Sequence, residues 1–131
     1  MGIAENMRSY CEAHAFMNKN HIRLDAVELD RVITVLEAGP DSLNPYGFVH
    51  GGALYTMADC ACGAAARTDG RKYVTLSSSF NFLHSGSEGD TIRAEAKVRR
   101  RGRTTCYVDV DLTNQRGELL ASGNYTFFCI Q

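Results

Sequence analysis

Apolar and polar side chains alternate with a period of two through most of the C-terminal half, the pattern of half-buried strands. In KYVTLSSSFNFLH (72–84), Val74, Leu76, Phe80 and Phe82 oppose Thr75, Ser77, Ser79 and Asn81. TIRAEAKV (91–98) sets Ile92, Ala94, Ala96 and Val98 against Thr91, Arg93, Glu95 and Lys97, and TTCYVDVDL (104–112) repeats the scheme. ELLASGNYTFFCI (118–130) is apolar on both faces. The short polar connections SGSEGD, RRRGR and NQRG predict hairpin turns. Upstream, DRVITVLE (30–37) is β-branched and reads as one more strand. From Gly51 to Arg67 the period lengthens, with Leu54, Met57, Ala58, Ala61 and Ala65 on one face of a helix rich in alanine. Residues 5–18 carry a looser helical stripe of Met7, Tyr10, Cys11 and His14. The predicted order is helix, strand, long helix and four antiparallel strands. That is an α+β fold in which the long helix packs on a strongly curved sheet and each buries the other's apolar face.

Length and composition narrow the function. With 131 residues the chain is expected to form one domain over 1–131, and 44% hydrophobic with 22% charged residues is ordinary for a soluble protein. A net charge of −1 argues against nucleic acid and against a charged membrane surface as partners. No apolar run approaches the roughly 18 residues of a membrane helix. The mixed N-terminus, MGIAENMRSYCEAHAF, does not read as a signal peptide, and Asn6 stands where myristoylation requires Ser or Thr. The five cysteines form neither a disulfide framework nor a metal motif, so a cytoplasmic protein with buried thiols and no metal is expected.

The candidate chemistry lies in NPYGFVHGGALYTMAD (44–59). Both prolines of the chain sit in the loop that leads to this helix. Gly51 and Gly52 open the helix although glycine costs about 1 kcal/mol there relative to alanine. Either they allow a ligand oxygen to reach the unpaired first amides, as in an oxyanion hole, or they allow close packing against a strand. Asp59 places a carboxylate in the same helix. Eight residues of helix separate Gly51 from Asp59, a rise of about 12 Å. One carbonyl cannot be held at the first and attacked through the second in one chain. If the two cooperate, they come from different protomers, and a two-fold axis makes two identical composite sites.

Asn44, Gly47, His50, Gly51 and Gly52, with Asp59 following, resemble the signature of hotdog-fold acyl-CoA thioesterases of the phenylacetate-degradation (PaaI-like) type. The likeness extends over nearly the whole chain and includes RGRTT, DVDL and NQRGELLASG. It implies a long central helix wrapped by a curved antiparallel sheet, homodimers and often homotetramers. It implies hydrolysis of a small to medium acyl- or aryl-acyl-CoA, with coenzyme A as part of the substrate and no cofactor. Asp59 would be the nucleophile or general base, the Gly51 amide the oxyanion donor, Asn44 a positioning group and His50 the holder of the loop. Thr75 stands near the expected attacking water. Gly52, Tyr46, Phe48, Tyr55 and Phe80 would border the substrate.

Lys97, Arg99, Arg100, Arg101 and Arg103 make a basic run, which is either a solvated hairpin or, for Arg99, Arg101 and Arg103, a dock for the phosphates of coenzyme A. His84 reads as a polar strand-end residue, and Asn124-Tyr125-Thr126 as a chance glycosylation sequon. A Ser-His-Asp hydrolase is not supported, because GxSxG is absent. Two alternatives stay open: a non-catalytic acyl-CoA-binding hotdog module, and a hotdog dehydratase or hydratase. The second wants a histidine partner that the helix after His50 does not contain.

Overall fold

A computed structural model describes residues 2–131. Two short helices, α1 (Ile3–Glu12) and α2 (Ala15–Lys19), precede the strands β1 (Ile22–Glu28) and β2 (Arg31–Glu37). A single 3₁₀ turn at Pro40–Ser42 leads to the long helix α3 (Gly51–Arg67), followed by β3 (Tyr73–Phe82), β4 (Thr91–Arg101), β5 (Thr105–Thr113) and β6 (Leu119–Cys129). The six strands form one fully antiparallel sheet in the order β1-β2-β4-β5-β6-β3.

The inward residues of β4 and β5 are those of the predicted alternation: Ile92, Ala94 and Ala96, with Cys106, Val108, Val110 and Leu112, are all buried. They pack against α3, whose Ala58, Ala61, Ala64, Ala65 and Ala66 are buried as well. Small side chains let the helix lie close to the sheet, and Thr34 Oγ1 of β2 donates to the Met57 carbonyl at 2.9 Å. Each fully buried large side chain, such as Met57 or Leu112, contributes about 1.5–3 kcal/mol by leaving water.

Two expectations are corrected. The stripe over 5–18 is two helices, because at Ala13 the chain turns and His14 Nδ1 accepts the Met17 amide at 3.2 Å, capping a new helix. The sheet also has a strand before DRVITVLE: β1 pairs with β2 through a tight turn in which Asp30 takes φ 66°. Its sequence IRLDAVE conceals a period of two because the register shifts between Leu24 and Ala26, leaving Asp25 as the extra residue.

A similar irregularity corrects the reading of β3. Its register against β6 shifts between Thr75 and Ser77, so Leu76 is an extra residue and the alternation reverses there. Before the bulge Thr75 faces α3; after it Ser78, Phe80 and Phe82 do. Val74 and Leu76 do not join Phe80 in the core, and Leu76 is 61% exposed. β3 is also an edge strand, paired on one side alone.

Candidate functional site

Residues four apart along α3 meet β3 and its surroundings in order. Gly51 lies under the Phe82 ring, Tyr55 reaches Ser78, Asp59 reaches Thr75, Gly63 sits below Phe127, and Arg67 lies against Tyr10. The two ends of this line form two separate clefts.

The first cleft surrounds the helix start and has a volume of about 350 Å³, bordered by Asn44, Phe48, Gly51, Phe82 and His84. Asn44 Oδ1 accepts the Tyr46 amide at 2.9 Å and the Phe48 amide at 3.1 Å, which folds the loop into a turn. Gly47 takes φ 87° within it, a conformation that glycine adopts readily. His50 is the N-cap of α3: its Nδ1 accepts the Gly52 amide at 2.7 Å, and its carbonyl accepts from Ala53 and Leu54. Among the described residues no group accepts the Gly51 amide, so it remains the free donor at the positive end of a 17-residue helix. Close packing accounts for both glycines. A Cβ at Gly51 would stand 3.2 Å from the Phe82 ring, and one at Gly52 would stand 3.0 Å from the capping nitrogen of His50.

The second cleft, of about 160 Å³, holds Asp59 and Thr75 with Tyr10, His14, Gly63 and Arg67. Thr75 Oγ1 donates to Asp59 Oδ1 at 2.8 Å. Burial raises the Asp59 pKa above the ordinary carboxylate value, while the Thr75 bond and the nearby His14 ring oppose that rise. No cation among the described residues forms an ion pair with Asp59. The carboxylate therefore keeps one oxygen free and an elevated basicity.

Gly51 and Asp59 thus open into different clefts of one chain. Between them, Tyr55 donates or accepts a 2.6 Å bond with Ser78 Oγ and meets the Phe80 ring edge-on at 5.4 Å, while Tyr46 is 85% exposed on the loop. Of the arginines assigned to phosphate, Arg101 is turned inward. Its guanidinium donates to the Ala65 and Ala66 carbonyls at the end of α3 and pairs with Asp30 and Asp69, so its charge is already compensated. Arg99 pairs with Asp109 on the surface, and Arg103 is exposed with no carboxylate partner. Tyr10, His14 and Arg67, which belong to no motif, border the Asp59 cleft, and His84, weighed as a strand-end polar residue against a pocket-mouth one, borders the Gly51 cleft. For Arg67 a signal was present, since it lies eight residues beyond Asp59 with glycine midway.

A long helix packed on a single antiparallel sheet is the architecture of the hotdog fold. The thioesterase superfamily model matches residues 46–121, and the chain belongs to that superfamily as a PaaI-like thioesterase. It is similar to the acyl-coenzyme A thioesterase PaaI of Escherichia coli K12, 28% identical over 120 residues that span 87% of this chain and 86% of that one. The solved structure of the E. coli PaaI protein superposes with a TM-score of 0.95 at 26% identity, covering 98% of this chain and 94% of the other. A hypothetical thioesterase of Streptococcus pneumoniae solved with coenzyme A gives a TM-score of 0.80 at 34% identity, covering 83% and 88%. Human acyl-coenzyme A thioesterase 13 is 28% identical over 99 residues, 73% of this chain and 71% of that protein.

Proposed function

We propose that the protein hydrolyses small to medium acyl- or aryl-acyl-CoA thioesters at composite sites, with Gly51 of one protomer facing Asp59 of the other. The observation that carries this reading is the pairing of an unclaimed Gly51 amide with a half-buried Asp59 that opens into a different cleft. The exposed edge of β3 supplies the means: two copies joined antiparallel along it continue the sheet and bring each helix tip toward the other's acid. The thioesterases of E. coli and human to which the chain is similar act on acyl-coenzyme A, and the S. pneumoniae structure contains coenzyme A.

In this site the thioester carbonyl oxygen accepts the Gly51 amide. Water adds to the carbonyl carbon as Asp59 takes its proton, and Thr75 holds the carboxylate in place. The tetrahedral oxyanion collapses with cleavage of the carbon–sulfur bond, and the departing thiolate recovers the proton from Asp59. If the carboxylate attacks directly instead, the acyl group rests on Asp59 until water releases it. Label found in Asp59 after a single turnover in ¹⁸O water identifies the anhydride route with water attacking the aspartyl carbonyl, since direct hydrolysis places the label in the product acid alone. Arg103, with Arg99 beside it, meets the phosphates of coenzyme A.

The test is complementation between two inactive variants. Asp59→Asn removes the base. Gly51→Pro removes the amide hydrogen itself, at the first helical position, where proline is tolerated. His50 already has φ −64° and ψ 136°, as a residue before proline requires. After subunit exchange half of the dimers are mixed, and each mixed dimer contains one intact site and one doubly broken site. Thiol release should return to about a quarter of the wild-type rate under this two-fold pairing. A mixture that stays inactive, although exchange is demonstrated, means that the two residues do not serve one centre across protomers.

A further inference from the structure

Arg67 stands apart from the other arginines. Arg23, Arg31, Arg71, Arg93, Arg99, Arg101 and Arg116 each hold a carboxylate. Arg8, Arg100 and Arg103 do not, but they are exposed to water. Arg67 is partly buried, and among the described residues it has no carboxylate partner and its buried Nε has no acceptor. Leaving such a donor without a partner opposes folding. Its place in the last turn of α3 suits the helix dipole but does not satisfy that hydrogen. The Tyr10 ring covers one face of the guanidinium, with Cζ 4.2 Å from the ring centre, so the remaining donors lie at the edge of the group.

The cleft that contains Arg67 is that of Asp59. Asp59, Gly63 and Arg67 succeed one another at intervals of four along α3, with the missing side chain of Gly63 leaving space between acid and base. Over about 12 Å of helix rise they do not pair, and both line one cleft with Gly63 between them. His14 borders the same cleft: its Nδ1 accepts the Met17 amide, and its Nε2 faces Cys60 Sγ at 4.0 Å. Asp59, Gly63 and Arg67 line one cleft, so an acyl chain lying over Gly63 would bring its far end to the guanidinium edge.

We propose that Arg67 is a specificity residue that selects acyl groups ending in a carboxylate, so that the preferred substrates are monothioesters of short dicarboxylic acids. The inference rests on the thioesterase reading of Asp59. A guanidinium edge binds a carboxylate through two parallel hydrogen bonds, and the rise of about 12 Å between Asp59 and Arg67 suits a chain of a few carbons.

The experiment compares adipoyl-CoA with hexanoyl-CoA, and glutaryl-CoA with pentanoyl-CoA, pairs that differ in whether the chain end is charged. With the wild type, kcat/KM should favour the carboxylate-ended member by about 10- to 100-fold, the worth of charge-assisted hydrogen bonds. In Arg67→Gln that preference should vanish while hexanoyl-CoA is cleaved within about threefold of the wild-type rate, and Arg67→Lys should recover part of it. A wild type that cleaves both members equally, or prefers hexanoyl-CoA, overturns the proposal without any variant. So does an Arg67→Gln protein that loses both activities in proportion. If the wild type cleaves no thioester and matches Asp59→Asn throughout, the thioesterase reading fails and this inference fails with it.

Discussion

Thr75 Oγ1 donates to Asp59 Oδ1 at 2.8 Å, from the strand beside a β-bulge to the second turn-pair of the central helix. The bond favours the ionised carboxylate, against burial, which favours the neutral acid. Activity should rise with pH along an acid limb set by Asp59, above the ordinary carboxylate range. Thr75→Val removes the opposing bond and should move that limb to higher pH, whereas Thr75→Ser should leave it in place. A pH profile of kcat/KM for each variant decides the matter. Asp59→Asn should lower kcat by about 10²–10⁴ at every pH, the usual contribution of a general base.

The same raised pKa has a consequence for stability. A carboxyl that binds its proton more tightly when folded than when unfolded favours the fold at low pH. That contribution disappears as pH rises from the ordinary carboxylate value through the folded one. Asp59→Asn should therefore unfold at a higher temperature than the wild type at neutral pH, and the difference should shrink below the ordinary carboxylate range. Thermal melts at several pH values measure it.

His50 fixes the geometry around the free amide. Removing its Nδ1 cap in His50→Ala should cost about 0.5–2 kcal/mol in urea denaturation, and the loosened helix start should lower kcat as well. His50→Asn can cap and should regain most of the stability. Gly52→Ala should act like His50→Ala, because the new methyl group occupies the space of the capping nitrogen.

Arg101 and Arg103 are two residues apart and should behave differently. Arg101→Gln unpairs the half-exposed Asp30, removes one of the two cations at Asp69 and uncaps the Ala65 and Ala66 carbonyls, so a loss of about 1–3 kcal/mol is expected. Burial pushes the Asp69 carboxyl upward, but bonds from Tyr73 and Arg71 and the Arg101 charge hold it below its ordinary value. Its stabilisation is thus present above the unfolded carboxylate pKa and is lost as pH falls through the folded one. Arg103→Gln should leave stability unchanged and raise KM for coenzyme A thioesters. Denaturation and kinetics on the two variants separate these effects.

The exposed edge of β3 gives the last prediction. Leu76 is 61% exposed and makes no core contact that its loss would break. Leu76→Lys should leave the fold intact, shift the protein from dimer to monomer in sedimentation, and abolish thiol release in parallel. A monomer that retained full activity would contradict composite sites.

Much of the fold was legible because one-sided burial imposes its period on the sequence. β4 and β5 alternate as their packing on α3 demands, and the alanine face of α3 announced a helix lying close to a sheet. β1 and the inward face of β3 were not legible, because one extra residue in each strand, Asp25 and Leu76, breaks the period that reveals such faces. The candidate site divides in the same way. Gly51, Gly52 and Asp59 stand out where they are, in residue types that a helix does not otherwise favour. Arg101 looked like any surface arginine, and only the docking of β4 against the end of α3 turned it inward. Tyr10 and His14 join Asp59 and Arg67 in one cleft because α1 and α2 fold over the helix, a contact between segments about fifty residues apart. Local chemistry is written in sequence order, so the chain by itself determined its elements, the free amide at one helix tip and the acid two turns away. Which side chains surround that acid, and which arginines remain free to meet a ligand, depend on contacts between distant segments, and those the tertiary structure alone decided.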